Sequence, residues 1–217
     1  MAVNKMGKEI TSIWTPANVV TCVRIVFIPV FMILSELSFG CFAAVPLQED
    51  ASLGGFAIAA FAVYMLLSLT DKVDGELARK RGEVTDFGKF LDPIADKLLV
   101  FSALLILLEH QMVNVWFVFI IMFREFLVSA LRMVASANGT VIAADKLGKA
   151  KTATTMVSLC TYLLVIAMMT CVVPSNMLGV VSALHLIADV LMAVAVILTV
   201  VSGGQYFWNA RHIVFRV

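Results

Sequence analysis

Residues 71–96 read DKVDGELARKRGEVTDFGKFLDPIAD, with acids at Asp71, Asp74, Asp92 and Asp96, and long apolar runs stand on both sides of them. The flanks decide the setting. Of 217 residues 61% are hydrophobic and only 14% are charged, with a mean hydropathy of +0.99. That composition excludes a soluble globular domain and reads as an all-α integral membrane protein. Ionisable groups at bilayer depth are costly and persist where they line a polar cavity or bind something. Four carboxylates so close together would repel one another, so the pattern implies a cation.

Windows of about 20 apolar residues place six transmembrane helices at about 16–36, 53–79, 87–109, 112–135, 152–173 and 177–201. The uninterrupted apolar part of the third runs only from Leu98 to Leu108, and that of the fourth only from Met112 to Phe123, where Arg124 and Glu125 intervene. At about 1.5 Å per residue each covers about 16–18 Å, roughly half a hydrocarbon core. The charged half of each helix must therefore enter the membrane. The joint Glu109-His110-Gln111 is short, which makes the two helices antiparallel and sends both charged halves to one leaflet. The second span ends on that side too, at Ala78–Arg79, and three polar helix ends together call for a water-filled cavity.

All 16 basic residues fall on that side, from Lys5 and Lys8 to Arg211 and Arg216, while the connections at about 37–52, 109–111 and 172–177 carry none. The positive-inside rule then expects both termini and the cavity in the cytoplasm of a bacterial-type cell (inner) membrane. Residues 1–15 read as a juxtamembrane segment, with a short surface helix over 3–14, and 16–217 as one six-helix domain. Met1–Trp14 is polar, carries Glu9 and shows no cleavage site, so a cleavable leader is not expected. Cys22, Cys41, Cys160 and Cys171 have no metal-ligand spacing and read as apolar filler, with a Cys41–Cys171 pairing left open. His185 and Asp189, four apart, read as a hydrogen-bonded pair at a helix contact.

On a helix, Asp71 with Asp74 and Asp92 with Asp96 each present two carboxylates to one face. Two such helices facing each other supply four hard oxygen donors, which suit two divalent cations, Mg²⁺ or Mn²⁺, and substrate phosphates. Gly75 and Ala78 leave room beside Asp74, Gly88 relieves crowding where the third span begins, Pro93 can kink that span, and Arg79 offers a fork for phosphate. Lys80, Arg81, Asp86 and Lys89 read instead as a solvated juxtamembrane face. A second cluster follows. Arg124 and Arg132 lie about 80° apart around one helix and about 12 Å along it, and Lys146, Lys149 and Lys151 border the next span. Such cations suit an acceptor that carries a phosphate, and serine or choline would not call for them. The lysines read equally as orientation signals and anchors for anionic headgroups, and Glu125 as the neutraliser of a neighbouring cation.

The pattern D-x-x-D-G-x-x-A-R-x8-G-x-x-x-D-x-x-x-D, matched at every defined position over 71–96, resembles the signature of the CDP-alcohol phosphatidyltransferase family. The resemblance implies a membrane enzyme that moves a phosphatidyl or similar group from a CDP-activated donor to an alcohol and releases CMP. It implies Asp71, Asp74 and Asp92 as ligands of two divalent ions, Mg²⁺ foremost, with Asp96 a ligand and the general base. Asp71, Asp74, Gly75, Ala78, Arg79 and Gly88 then belong to the nucleotide and diphosphate site. Arg124-Glu125-Phe126, Ser129-Ala130-Leu131-Arg132, Leu147-Gly148-Lys149-Ala150-Lys151-Thr152 and Asn18-x-x-Thr21-x-x-Arg24 with Pro29 are similar to the phosphatidylglycerophosphate synthase branch. That similarity implies CDP-diacylglycerol as donor and sn-glycerol 3-phosphate as acceptor, with Arg124, Arg132 and Lys149 on the acceptor phosphate. Asn18, Thr21, Arg24 and Lys151 are further site candidates, a homodimer is implied, and no nucleic acid is expected. The likeness spans about residues 15–165 in blocks and leaves the last span without a signature. The alternatives are an inositol phosphate acceptor or a divalent-cation transporter, the latter leaving the Gly75, Ala78 and Arg79 spacing unexplained.

Overall fold

A computed structural model describes residues 15–44, 51–81, 85–137, 146–170 and 177–214. They form six helices: α1 (Pro16–Ala44), α2 (Ala51–Arg81), α3 (Asp86–Glu109), α4 (Val115–Ala137), α5 (Lys146–Thr170) and α6 (Leu178–Val214). Three stretches, Asn18–Ser38, Leu147–Thr170 and Leu178–Trp208, are long and apolar enough to cross a membrane, and α2 adds a shorter apolar segment, Gly54–Thr70. The ends of α3 and α4 lie within three residues of the sequence expectation. By contrast α1 continues past 36 to Ala44, and α6 runs for 37 residues to Val214, well beyond 201. The expected surface helix over 3–14, the Cys41 side chain and Cys171 lie outside the described residues, and Cys22 and Cys160 are not joined in a disulfide.

The chain divides into two compact units, Met1–Ile106 with Ile166–Val173, and Leu107–Val165 with Pro174–Val217. In the first, α1 packs along α2. The buried face of α1 steps by three and four residues through Asn18, Thr21, Arg24, Ile28, Phe31, Ser35 and Ser38. Its partner face on α2 is Ala57, Ala60, Tyr64 and Leu67, where two alanines allow close approach. Phe31 meets Tyr64 at a ring separation of 5.3 Å. Val26, Ile33 and Leu66 are exposed, as suits helices that present one side to lipid.

Helix starts in this unit are tied together by hydroxyls. The Thr15 Oγ1 accepts the Asn18 N–H at 3.4 Å, and Pro16 occupies the first helical position, where no amide hydrogen is needed. Thr85 caps α3 by accepting the Gly88 N–H at 3.1 Å, and the same oxygen accepts the Asn18 side-chain amide at 2.7 Å. One hydroxyl thus fixes the start of α3 against α1. A Cβ at position 88 would stand 2.5 Å from Asn18 Oδ1 and 3.3 Å from Thr85 Oγ1, which is the crowding that the glycine relieves.

In the second unit α4 packs on α6. The turn before α4 closes with Met112 N–H on the Leu107 carbonyl at 2.9 Å and Gln111 N–H on that of Leu108 at 3.0 Å. Gln111 takes the left-handed conformation, φ 57°, that this helix ending requires. Partial burial in the turn lowers the pKa of His110 against the opposing pull of Glu109. Asn114 Oδ1 accepts the Trp116 N–H at 2.9 Å and so starts α4. Between α5 and α6, Ser158 donates to the Ala188 carbonyl at 2.9 Å and Tyr162 to Asp189 Oδ1 at 2.5 Å. His185 Nδ1 lies 3.3 Å from the other Asp189 oxygen, so the pair read from sequence is joined by a tyrosine from the neighbouring helix.

Gly88→Ala should push the Asn18 amide off Thr85, at a cost of about 1–3 kcal/mol for overpacking. A lower thermal unfolding midpoint in detergent is expected for Gly88→Ala, with partial recovery when Asn18→Ala is added. An unchanged midpoint would contradict the shared-cap geometry.

Candidate active site

Two groups of polar residues stand out, one in each unit. In the first unit the final turns of α2 carry Asp71, Asp74, Gly75, Ala78 and Arg79, whose side chains lie outside the described residues. Asp92 and Asp96 stand one turn apart on α3, Asp92 exposed and Asp96 half-buried. Pro93 is accommodated between them within an uninterrupted helix. From α1 the Thr21 hydroxyl, 2% exposed, donates to Asp92 Oδ1 at 2.7 Å. Asn18, one turn earlier on the same face, holds the cap of α3 through Thr85. Arg24 continues that stripe at 2% exposure. Asn18 and Thr21, on the buried face of α1, are therefore directed at the start of α3.

Among the described residues no three His, Cys, Asp or Glu side chains converge as a metal-binding group. The donors that are described nonetheless suit a hard cation, because Asp92 and Asp96 offer only oxygen from one helix face. A hydroxyl on one oxygen of Asp92 also fixes the orientation of that carboxylate, the service that outer partners give to metal ligands.

In the second unit Glu125 Oε1 accepts from Arg124 Nη1 at 2.9 Å and from Lys151 Nζ at 2.6 Å. The Lys151 side chain is only 4% exposed, and this carboxylate offsets the cost of burying its charge. Arg124 also donates through Nη2 to Ser202 Oγ on α6 at 3.1 Å, while its buried Nε has no hydrogen-bond partner among the described residues. Tyr206, one turn after Ser202, lies 5.4 Å from the Arg124 guanidinium carbon and 5.2 Å from that of Arg132, measured to the ring centre. Its hydroxyl accepts from Arg132 Nη2 at 2.7 Å. Arg124 and Lys151 meet the one carboxylate and Arg132 stands on the same tyrosine as Arg124, so the cluster carries a formal excess of two positive charges.

The structure joins Arg124 to Arg132 as their spacing predicts, and Glu125 neutralises its neighbours as expected. Lys151 belongs to this cluster. Lys149 is exposed and, two residues earlier, points about 200° away around α5, while the Lys146 side chain lies outside the described residues. Sequence reasoning missed Ser202, Gly203 and Tyr206, because the polar and glycine-rich stretch after 201 reads as the end of a span. In fact α6 continues because this stretch packs on the arginines. Gly203 leaves room for the arginine, since a Cβ there would stand 3.0 Å from Arg124 Cγ. The available signal was a serine and a tyrosine one turn apart.

A sequence model of CDP-alcohol phosphatidyltransferase matches residues 14–201. The chain belongs to the CDP-alcohol phosphatidyltransferase family. Within the family it is similar to the CDP-diacylglycerol–glycerol-3-phosphate 3-phosphatidyltransferase of Bacillus subtilis, with 39% identity over 89% of this chain and 95% of that protein. It is also similar to a probable phosphatidylglycerophosphate synthase of Mycobacterium tuberculosis, with 34% identity over 89% of this chain and 80% of the relative. A Rickettsia typhi protein bearing the same name as the Bacillus one is 32% identical over 88% of this chain and 93% of its own length. The family match takes in both polar groups except Ser202, Gly203 and Tyr206, which lie just beyond its end.

Glu125→Gln should remove the carboxylate that buried Arg124 and Lys151 share, a loss of about 3 kcal/mol. The thermal unfolding midpoint in detergent should fall clearly and recover in part when Lys151→Met is added. Equal midpoints for wild type and Glu125→Gln would show that the carboxylate does not hold the cations.

Proposed function

We propose that this phosphatidyltransferase moves the phosphatidyl group from CDP-diacylglycerol to sn-glycerol 3-phosphate, giving phosphatidylglycerophosphate and CMP in phospholipid biosynthesis. The observation that carries this reading is the cationic group of Arg124, Arg132 and Lys151, with its excess of two positive charges. A phosphate monoester carries about −1.5 to −2 near pH 7 and accepts paired bonds from arginine forks. A plain alcohol or a zwitterion has no use for such a group. The names of the relatives point the same way and favour neither inositol phosphate nor ion transport.

All six helices are taken to cross the membrane of a bacterial-type cell, with both termini and the charged halves of α2, α3 and α4 at the cytoplasmic face, where soluble acceptor and CMP exchange. A homodimer is the expected assembly. Asp71, Asp74, Asp92 and Asp96 would hold two divalent cations, Mg²⁺ foremost, which when bound neutralise the donor diphosphate and the departing phosphate. Gly75 and Ala78 leave space for the nucleotide, and Arg79 binds its phosphates. Thr21 keeps the Asp92 carboxylate in one orientation. Asp96 accepts the proton of the glycerol hydroxyl as its oxygen bonds to the phosphorus bearing diacylglycerol, and the bond from that phosphorus to CMP breaks. Arg124, Arg132 and Lys151, with Lys149 from the rim, hold the acceptor phosphate during the transfer.

CMP release by the purified protein should require both sn-glycerol 3-phosphate and Mg²⁺ and stop on chelation. Asp96→Asn should lower turnover by about 10²–10⁴-fold while CDP-diacylglycerol binding persists. Undiminished turnover would remove Asp96 as the base, and preferred use of inositol phosphate would overturn the acceptor.

A further inference from the structure

We propose that Tyr206 is the positioning residue of the acceptor-phosphate site, the group that makes two separate arginines act as one anion receptor. The inference rests on the acceptor reading given above. Arg124 and Arg132 leave α4 about 12 Å apart along its axis, far more than the spacing of two oxygens on one phosphate. Both guanidinium carbons nevertheless lie within 5.4 Å of the centre of the Tyr206 ring. Two like charges drawn this close repel, and long side chains resist being fixed. Something has to offset both effects.

A buried aromatic ring does so. Tyr206 is 2% exposed and has few rotatable bonds, so it brings a fixed surface to the site at small entropic cost. Its negative face attracts each guanidinium, and its hydroxyl accepts from Arg132 Nη2 at 2.7 Å. Arg124 is held on its other edges by Glu125 and Ser202, which leaves its buried Nε without a partner among the described residues. A buried donor left unmatched is a standing cost that an anionic oxygen can relieve. The ring also rests against α5, where a Cβ on Gly148 would be 3.8 Å from Tyr206 Cε2 and 3.6 Å from Arg124 Nη2. Ser202 and Tyr206 therefore bring α6 into the acceptor site from outside the stretch that the family match covers. The role assigned to Tyr206 is positioning, acting through the arginines rather than on the reacting atoms.

The test is steady-state kinetics of purified wild type, Tyr206→Phe and Tyr206→Leu, varying sn-glycerol 3-phosphate and CDP-diacylglycerol separately, with thermal unfolding midpoints measured alongside. Tyr206→Leu, which loses ring and hydroxyl, should raise KM for sn-glycerol 3-phosphate about tenfold or more. Tyr206→Phe keeps the ring and should raise it by a smaller factor. In both, KM for CDP-diacylglycerol should stay within about twofold, and inorganic phosphate should weaken as a competitor against the acceptor in the same order. Where Tyr206→Leu does not fold, Tyr206→Phe decides the matter alone. Unchanged acceptor KM in a folded variant overturns the proposal. So does a parallel rise in both KM values with a lowered midpoint, which marks a packing role. A wild-type enzyme indifferent to sn-glycerol 3-phosphate overturns the acceptor assignment itself, a result separable from an active wild type with an unaffected variant.

Discussion

A formal charge on an otherwise apolar helix has to be met by another polar group, and this requirement shapes the contacts around Asp92, Glu125 and Asp189. It is clearest at Glu125, where one oxygen accepts from both Arg124 and Lys151. A buried lysine without that carboxylate would be costly enough to disrupt the packing of α5 on α4. The same need draws in α6, whose Ser202 and Tyr206 bond to the two arginines. In the first unit it is met by the Thr21 hydroxyl on Asp92, while Thr85 links the neutral Asn18 to the start of α3. Apolar surface packs the helices together, but these contacts fix their register.

The proposed function assigns two tasks to separate parts of the chain. On that reading the acids of α2 and α3, with Thr21 of α1 on Asp92, serve the diphosphate of the donor. The cations of α4 and α5, supported by α6, are suited to a phosphate on the acceptor. The first set is what the family signature describes, and it leaves the alcohol open. On the proposed reading the second set distinguishes a phosphorylated acceptor from a neutral or zwitterionic one, because its excess of positive charge favours an anion of similar size.

Much of this was legible in the sequence. Apolar windows of spanning length mark the six helices, the signature marks the acids and the family, and the eight-residue spacing puts Arg124 and Arg132 on one side of α4. Glu125 was readable as a neutraliser because it adjoins a deep arginine. Three things were not legible. The end of α6 was read too early because Gly203 and Gly204 look like a stop, when Gly203 is there to admit Arg124. Tyr206 carries no sequence signal of its own, and only tertiary packing shows it beside two guanidiniums. Lys151 outranks Lys149 in contact with Arg124's neighbour Glu125, a distinction that depends on which face of α5 meets α4 and that a run of alternating lysines cannot reveal.

The most direct measurement is the ratio of kcat/KM for sn-glycerol 3-phosphate to that for glycerol, in wild type and in Arg124→Gln, with identical CDP-diacylglycerol and Mg²⁺. If the cationic group reads the acceptor phosphate, wild type should prefer the phosphorylated acceptor by orders of magnitude and Arg124→Gln should lose at least about tenfold of that preference. A variant that loses activity toward both acceptors equally, with its preference intact, would contradict it.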